Sequence, residues 1–295
     1  MAVLGASAAA LALVRAMARA GVDVTLVVTD AHDAARLGET LAPVRVVMTA
    51  DGPFDLAILA DTALESDDSI PVVIGLDGIT PRTGGPRLHL AAPAHLRHLV
   101  EITPSPDAAQ NRMAQALIAR LDGVTVTLPE GAPSLLARFE ACLDRALHGL
   151  LMTGAAPFEL DECLASAGFD PAPLLAQDLA GCDLGYARRK ATGDATCFAF
   201  DRMVEEGRLG QMVGVGWYRY PGGGGPVEDP LVEDLLAEEA RFDGIAQRPV
   251  DCTEIRETVF TALRDEARAV VTGGIADASQ VAQVVRHGLG LGQPL

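Results

Sequence analysis

The opening thirty residues constrain the fold more than any other stretch. Residues 2–4 are apolar and run into Gly5, an apolar stretch of helical period covers 8–20, Gly21 stops it, and residues 22–28 are again β-like. That is a strand, helix, strand unit. Further short apolar runs follow at 44–48, 56–59, 72–76, 88–90, 99–102 and 124–128, with a helical stretch at 111–121 between the last two. Such alternation predicts an open, mostly parallel α/β sheet covered by helices on both faces. Sheets of this kind take ligands at the carboxyl ends of their strands, beside the point where strand order reverses.

Composition removes several classes of function. Forty acidic residues stand against 23 basic ones, a net charge of −17, and Lys190 is the sole lysine. Duplex nucleic acid requires clustered cations to neutralise phosphate, and single strands require aromatic platforms; only 4% of this chain is aromatic. The five cysteines, at 142, 163, 182, 197 and 252, form no Cys-x-x-Cys pair and have no histidine at ligand spacing. They read as reduced thiols of a cytoplasmic protein, with no metal site. The apolar amino-terminal stretch lacks a basic lead and is broken by Arg15 and Arg19, so a signal peptide or a bilayer span is not expected.

The turn after the first strand is where a dinucleotide pyrophosphate would lie, because free N–H groups at a helix start attract phosphate and small residues permit close approach. Here the G-x-G-x-x-G/A pattern becomes Gly5-Ala6-Ser7-Ala8-Ala9-Ala10: the first glycine is kept, Ser7 replaces the second, and Ala10 is an accepted third. The same residues would serve a turn that only packs a helix on a sheet. The acid that would bind the adenosine ribose, at the end of the second strand, is replaced by Val28. Asp30, two residues on, reads as a solvated loop residue.

From residue 134 the pattern turns helical, and the loop Tyr220-Pro221-Gly222-Gly223-Gly224-Gly225-Pro226 marks a turn or linker. Residues 143–169 have a degenerate echo at 263–289, with Gly154/Gly274, Ala156/Ala276 and Gly168/Gly288 at one offset. A duplicated helix pair is expected, its second copy partial.

Several segments resemble the 3-hydroxyacyl-CoA dehydrogenases, above all the dehydrogenase part of multifunctional β-oxidation enzymes. Residues 168–181, from Gly168-Phe169 to Asp178-Leu179-Ala180-Gly181, look like the family's Gly-Phe-Pro-Met-Gly-Pro-Phe-Glu-Leu segment with the Asp-Leu-x-Gly after it. Residues 207–220, Gly207-Arg208 through Gly216-Trp217-Tyr218-Arg219-Tyr220, are similar to its Gly-Arg-x-Gly-x-Lys-x-Gly-x-Gly-Trp-Tyr-x-Tyr segment. Asp229-Pro230, Glu254-Ile255 and Gly274-Ile275-Ala276 look like the start of a second helical copy.

The resemblance implies an α/β Rossmann-type NAD-binding domain at 1–130, an all-α C-terminal domain at 131–221, and a linker with a partial second helical copy at 222–295. It implies NAD-dependent oxidation of a 3-hydroxyacyl-CoA to the 3-oxoacyl-CoA, with cofactor contacts at Gly5, Ala6, Ser7, Ala8, Ala10 and Val28. The family's catalytic His-Phe-Phe-Asn-Pro run, which continues to Leu-Val-Glu, corresponds to Leu88-His89-Leu90-Ala91-Ala92-Pro93 and Leu99-Val100-Glu101. His89 is thus the expected general base and Glu101 its orienter. The partners implied are acyl-CoA, a second copy of the chain or an internal pseudo-dimer, and a hydratase fused in a longer chain.

Departures from the pattern touch functional parts. The family's Ser-Asn-Thr-Ser turn falls on Gly75-Leu76-Asp77-Gly78, the asparagine opening the helical domain falls on Leu136 or Ala137, and the asparagine of the histidine run becomes Ala92. Between the second and third strands only residues 29–43 replace the family's basic helical pair. The alternative expectation is therefore a catalytically degenerate relative that serves as a binding or assembly subunit.

Overall fold

A computed structural model describes residues 1–6, 8–49, 54–60, 70, 73–76, 84–93, 97–121 and 123–295. The chain divides into two compact units, 1–135 and 136–295.

The first unit is built on β1 (Ala2–Leu4), β2 (Thr25–Val27), β3 (Arg45–Val47), β4 (Ala57–Leu59), β5 (Val73–Leu76), β6 (Arg87–Leu90), β7 (Leu99–Thr103) and β8 (Val124–Thr127). They form one sheet in the order β3-β2-β1-β4-β5-β6-β7-β8. Every neighbouring pair is parallel except β6 and β7. The order reverses at β1, which lies between β2 and β4, and this places a switch point at the carboxyl end of β1. β1, β2, β4, β5 and β7 are buried along their full length, as strands covered on both faces must be. Helices α1 (Ala8–Arg19), α2 (Ala31–Thr40) and α3 (Ala108–Ile118) complete the unit. Leu13, Val14 and Met17 of α1 are fully buried with Val3, Leu26 and Ile58 of the strands.

Each strand candidate of the sequence is found; β1 keeps its expected bounds, β6 and β7 each run one residue longer, and the others are shorter. The second begins at Thr25 rather than 22, since Val22 and Val24 come before the first ladder pair. α2 was not anticipated. Its start is set by Asp30, whose carboxylate accepts from the N–H groups of His32 (2.8 Å) and Asp33 (3.0 Å) as an N-cap.

The second unit holds α4 (Leu135–Thr153), α5 (Pro157–Ser166), α6 (Pro173–Ala180), α7 (Asp183–Thr192), α8 (Phe198–Glu205), α9 (Pro230–Phe242), α10 (Cys252–Thr272) and α11 (Ala278–Gln283). The two segments of the expected repeat hold α4 with α5 and α10 with α11. Their ends meet antiparallel: Phe169 bridges Leu291, Asp170 N–H donates to Gly290 C=O at 2.9 Å, and Gly292 N–H donates to Gly168 C=O at 2.9 Å.

Two buried carboxylates organise the unit. Asp178 accepts from the N–H groups of Trp217 (2.8 Å) and Tyr218 (3.0 Å) and from the Tyr220 hydroxyl (2.8 Å). Asp161 accepts from the N–H groups of Leu174 (2.9 Å) and Leu175 (2.8 Å) at the start of α6 and from the Tyr218 hydroxyl (2.8 Å). A third polar centre is buried Arg189, whose guanidinium donates to Asp201 (2.6 Å) and Asp144 (3.2 Å).

The reading of five reduced thiols is overturned at two positions. Cys163 of α5 and Cys252 at the start of α10 are joined by a disulfide, with Cα atoms 5.6 Å apart. They lie 89 residues apart in sequence and meet because α10 packs along α5. Cys142, Cys182 and Cys197 are free thiols. Among the described residues no helix is long and apolar enough to cross a membrane.

Candidate active site

The expected cofactor turn lies at the switch point of the first unit. Gly5 is buried with φ 108°, a conformation that L side chains rarely adopt, and its N–H donates to Val27 C=O at 2.9 Å. The chain thus leaves β1 tied to β2 and enters α1 at Ala8, with no acidic residue in the first helical turn. A helix N-terminus without acidic side chains favours an anion. Ala6 is half-buried and Ala10 fully buried, so both expected contacts lie within this turn. Ser7 lies outside the described residues.

The ribose end of the expected site is different. Val28 is buried and its N–H is bound to Val47 C=O, so it offers an apolar wall. Asp30 is exposed and holds the N-cap of α2. The described part of the turn thus carries no acidic side chain, while Val28 stands at the position where such sheets carry a ribose-binding carboxylate.

His89 and Glu101 are brought together by the sheet. They are register partners in the antiparallel β6–β7 ladder. Side chains of directly opposed residues project from the same face of the sheet. Ala91 N–H donates to Leu99 C=O at 3.1 Å two positions along, which makes His89 and Glu101 a hydrogen-bonded pair with Cα atoms about 5.5 Å apart. His89 is half-buried and Glu101 is 2% exposed. His89 is thus partly accessible to solvent, whereas Glu101 is not.

Ser134, read from the sequence only as the onset of the helical half, adds to the arrangement. Its Oγ donates to Glu101 Oε2 at 2.6 Å. A serine directly before an apolar helical run is an N-cap signal that was available in the sequence. Its reach to a carboxylate 33 residues away was not. Of the other positions named in advance, Ala137 and Leu136 lie in the first turn of α4 without a polar side chain, and Gly75 and Leu76 end β5. Asp77 and Gly78 lie outside the described residues.

With this geometry in hand, comparison with known proteins gives a consistent answer. Residues 137–220 match the family model of the 3-hydroxyacyl-CoA dehydrogenase C-terminal domain. That match covers the helical part of the chain, and the curated relatives it resembles carry related names. The chain is 29% identical over 230 residues to the peroxisomal bifunctional enzyme of Danio rerio, covering 69% of this chain and 32% of that protein. The human enzyme of the same name is 28% identical over 243 residues, covering 74% of this chain and 34% of that protein. The chain spans about a third of the length of these curated relatives.

Among solved structures, the dehydrogenase part of multifunctional enzyme 1 from C. elegans superposes with a TM-score of 0.65 at 16% identity, covering 100% of this chain and 78% of that one. The 3-hydroxybutyryl-CoA dehydrogenase of Escherichia coli gives 0.60 at 16%, covering 99% and 89%. At these identities the structural likeness establishes the fold, an α/β Rossmann-type sheet followed by a helical region.

Proposed function

We propose that this 3-hydroxyacyl-CoA dehydrogenase relative oxidises a 3-hydroxyacyl-CoA to the 3-oxoacyl-CoA with NAD. The observation that carries the reading is the register of His89 opposite Glu101 in a chain whose residues 137–220 match this family's C-terminal domain. NAD held with its pyrophosphate at Gly5, Ala6 and the start of α1 would accept the hydride from C3 of the substrate. The protein's own residues handle the proton. A ring nitrogen of His89 takes the hydroxyl proton as the carbonyl forms, and the carboxylate of Glu101 on the other ring nitrogen fixes the tautomer and stabilises the imidazolium. Burial of Glu101 strengthens that interaction by excluding water from it. The length of the relatives supports a second element of the proposal, that the chain acts beside or within a larger β-oxidation assembly with a hydratase.

A second reading has its own support. Val28 in place of the ribose acid, Asp30 engaged at α2, and Leu136 or Ala137 in place of an amide donor favour a degenerate subunit that binds without turnover. NADH fluorescence titration separates the two: the dehydrogenase reading expects saturable binding, and no change at millimolar NADH removes it. Where NADH binds, His89→Ala is expected to slow acetoacetyl-CoA reduction by ~10²–10⁴-fold, the usual contribution of a positioned acid or base. An unchanged rate takes His89 out of the mechanism.

A further inference from the structure

We propose that Ser134 is a positioning residue for Glu101 and, through it, for the His89 imidazole. The inference rests on the His89–Glu101 reading above. Glu101 extends from the central residue of β7 and is withdrawn from solvent. A carboxylate on a flexible stem orients an imidazole only if its own rotamer is fixed, because rotation about its terminal bond exchanges the two oxygens. The Ser134 hydroxyl fixes it by donating to Oε2 at 2.6 Å, within the short range of O–H···O⁻ bonds. The oxygen so held is Oε2.

Placement supports the same role. Ser134 is the residue directly before α4, the 19-residue helix that begins at Leu135. The hydroxyl is thus presented by the residue that adjoins a helix start.

The test uses ¹⁵N-labelled histidine in the full chain. The imidazole nitrogen shifts of His89 report its tautomer, and kcat and KM for acetoacetyl-CoA are measured in parallel. Ser134→Gly removes the hydroxyl yet keeps a residue that caps helices nearly as well, and Ser134→Thr restores the hydroxyl. Glu101→Gln serves as the reference for loss of orientation. The expected result is that S134G moves the His89 tautomer distribution toward that of E101Q and lowers kcat by roughly tenfold at unchanged KM, a part of what a positioned base supplies. S134T returns both to wild type.

A wild-type His89 spectrum in S134G, together with an altered one in E101Q, overturns the role of Ser134 while leaving the dyad standing. A wild-type spectrum in E101Q removes the dyad reading and this inference with it. If S134T fails to restore what S134G loses, the effect belongs to packing, and the positioning role is rejected.

Discussion

The carboxylate of Asp178 satisfies two buried N–H groups and one buried hydroxyl, so its removal leaves three donors without a partner. Each such orphan costs ~1–3 kcal/mol. Asp178→Ala is therefore expected to destabilise the second unit by at least about 3 kcal/mol. Urea unfolding followed by Trp217, the sole tryptophan and itself 2% exposed, measures this directly. A loss below about 1 kcal/mol means that water replaces the carboxylate. This network also explains what was legible at the residue scale. Asp178 of the Asp-Leu-x-Gly segment and Trp217, Tyr218 and Tyr220 of the Gly-Trp-Tyr-x-Tyr segment carried the resemblance, and they form one buried structural cluster. They carry the resemblance because they hold the helical unit together, whereas the proposed chemistry rests on His89 and Glu101. His148 adds a pH-dependent term. Its Nε2 accepts from Ala199 N–H at 3.4 Å, it packs edge-on against Phe198 and Phe200, and burial with the nearby Arg189 charge pushes its pKa down to about 4. The unfolded state, with an ordinary histidine near 6.5, then binds more protons between pH 6.5 and 4, so stability from this group falls on acidification across that window. Burial drives Asp144 and Asp161 the other way, up to about 6, and each favours the folded state as pH falls from 6 toward 4. The terms oppose each other, so the check is a difference: the stability of wild type relative to His148→Gln should decline from pH 6.5 to pH 4. A constant difference rejects the assignment.

At the scale of elements, the close approach of the segment around Gly216 to α6 requires a missing side chain. A Cβ at Gly216 would overlap Asp178 Oδ1 and Cγ, and the atom it meets is the anchored acceptor of Trp217 N–H. Gly216→Ala is thus expected to destabilise the unit nearly as much as Asp178→Ala, and the double variant to be far from additive, since both break one network. The disulfide is the other constraint between elements. Cys163 and Cys252 close a long loop, and bridges of this kind stabilise by ~2–4 kcal/mol, chiefly by restricting the unfolded chain. Reduction, or Cys252→Ser, is expected to lower the urea midpoint seen by Trp217 by the corresponding amount, with three thiols titrating before reduction and five after. Five reactive thiols in the unreduced, unfolded protein would show that the bridge is not formed. The strands were readable from their apolar runs. The bridge was not, because nothing local couples residues 163 and 252; only the packing of α10 on α5 brings them together. The antiparallel turn of β7 was legible only as a short connection between two runs, yet it is what sets His89 opposite Glu101.

For the whole molecule, charge is the property that bears on function. A net charge of −17 surrounds a site proposed to bind NAD and an acyl-CoA, both polyanions. Enzymes that clamp such ligands with a cationic cradle lose affinity as salt screens the attraction. Here the long-range field is repulsive, and the attractive part of the turn is the backbone of Gly5, Ala6 and the start of α1, which acts at contact distance. Raising ionic strength from 0.01 to 0.15 M shortens the screening length from about 30 to about 8 Å. This removes the repulsion between the bulk of the protein charge and an approaching ligand while leaving hydrogen bonds at the turn intact. Affinity for NADH and for acetoacetyl-CoA is therefore expected to rise over this range, seen as a falling Kd in fluorescence titration and a falling KM in steady-state assays. A Kd that instead rises with salt means that local arginines outweigh the global field, and the backbone turn is then not the dominant attraction for the phosphates.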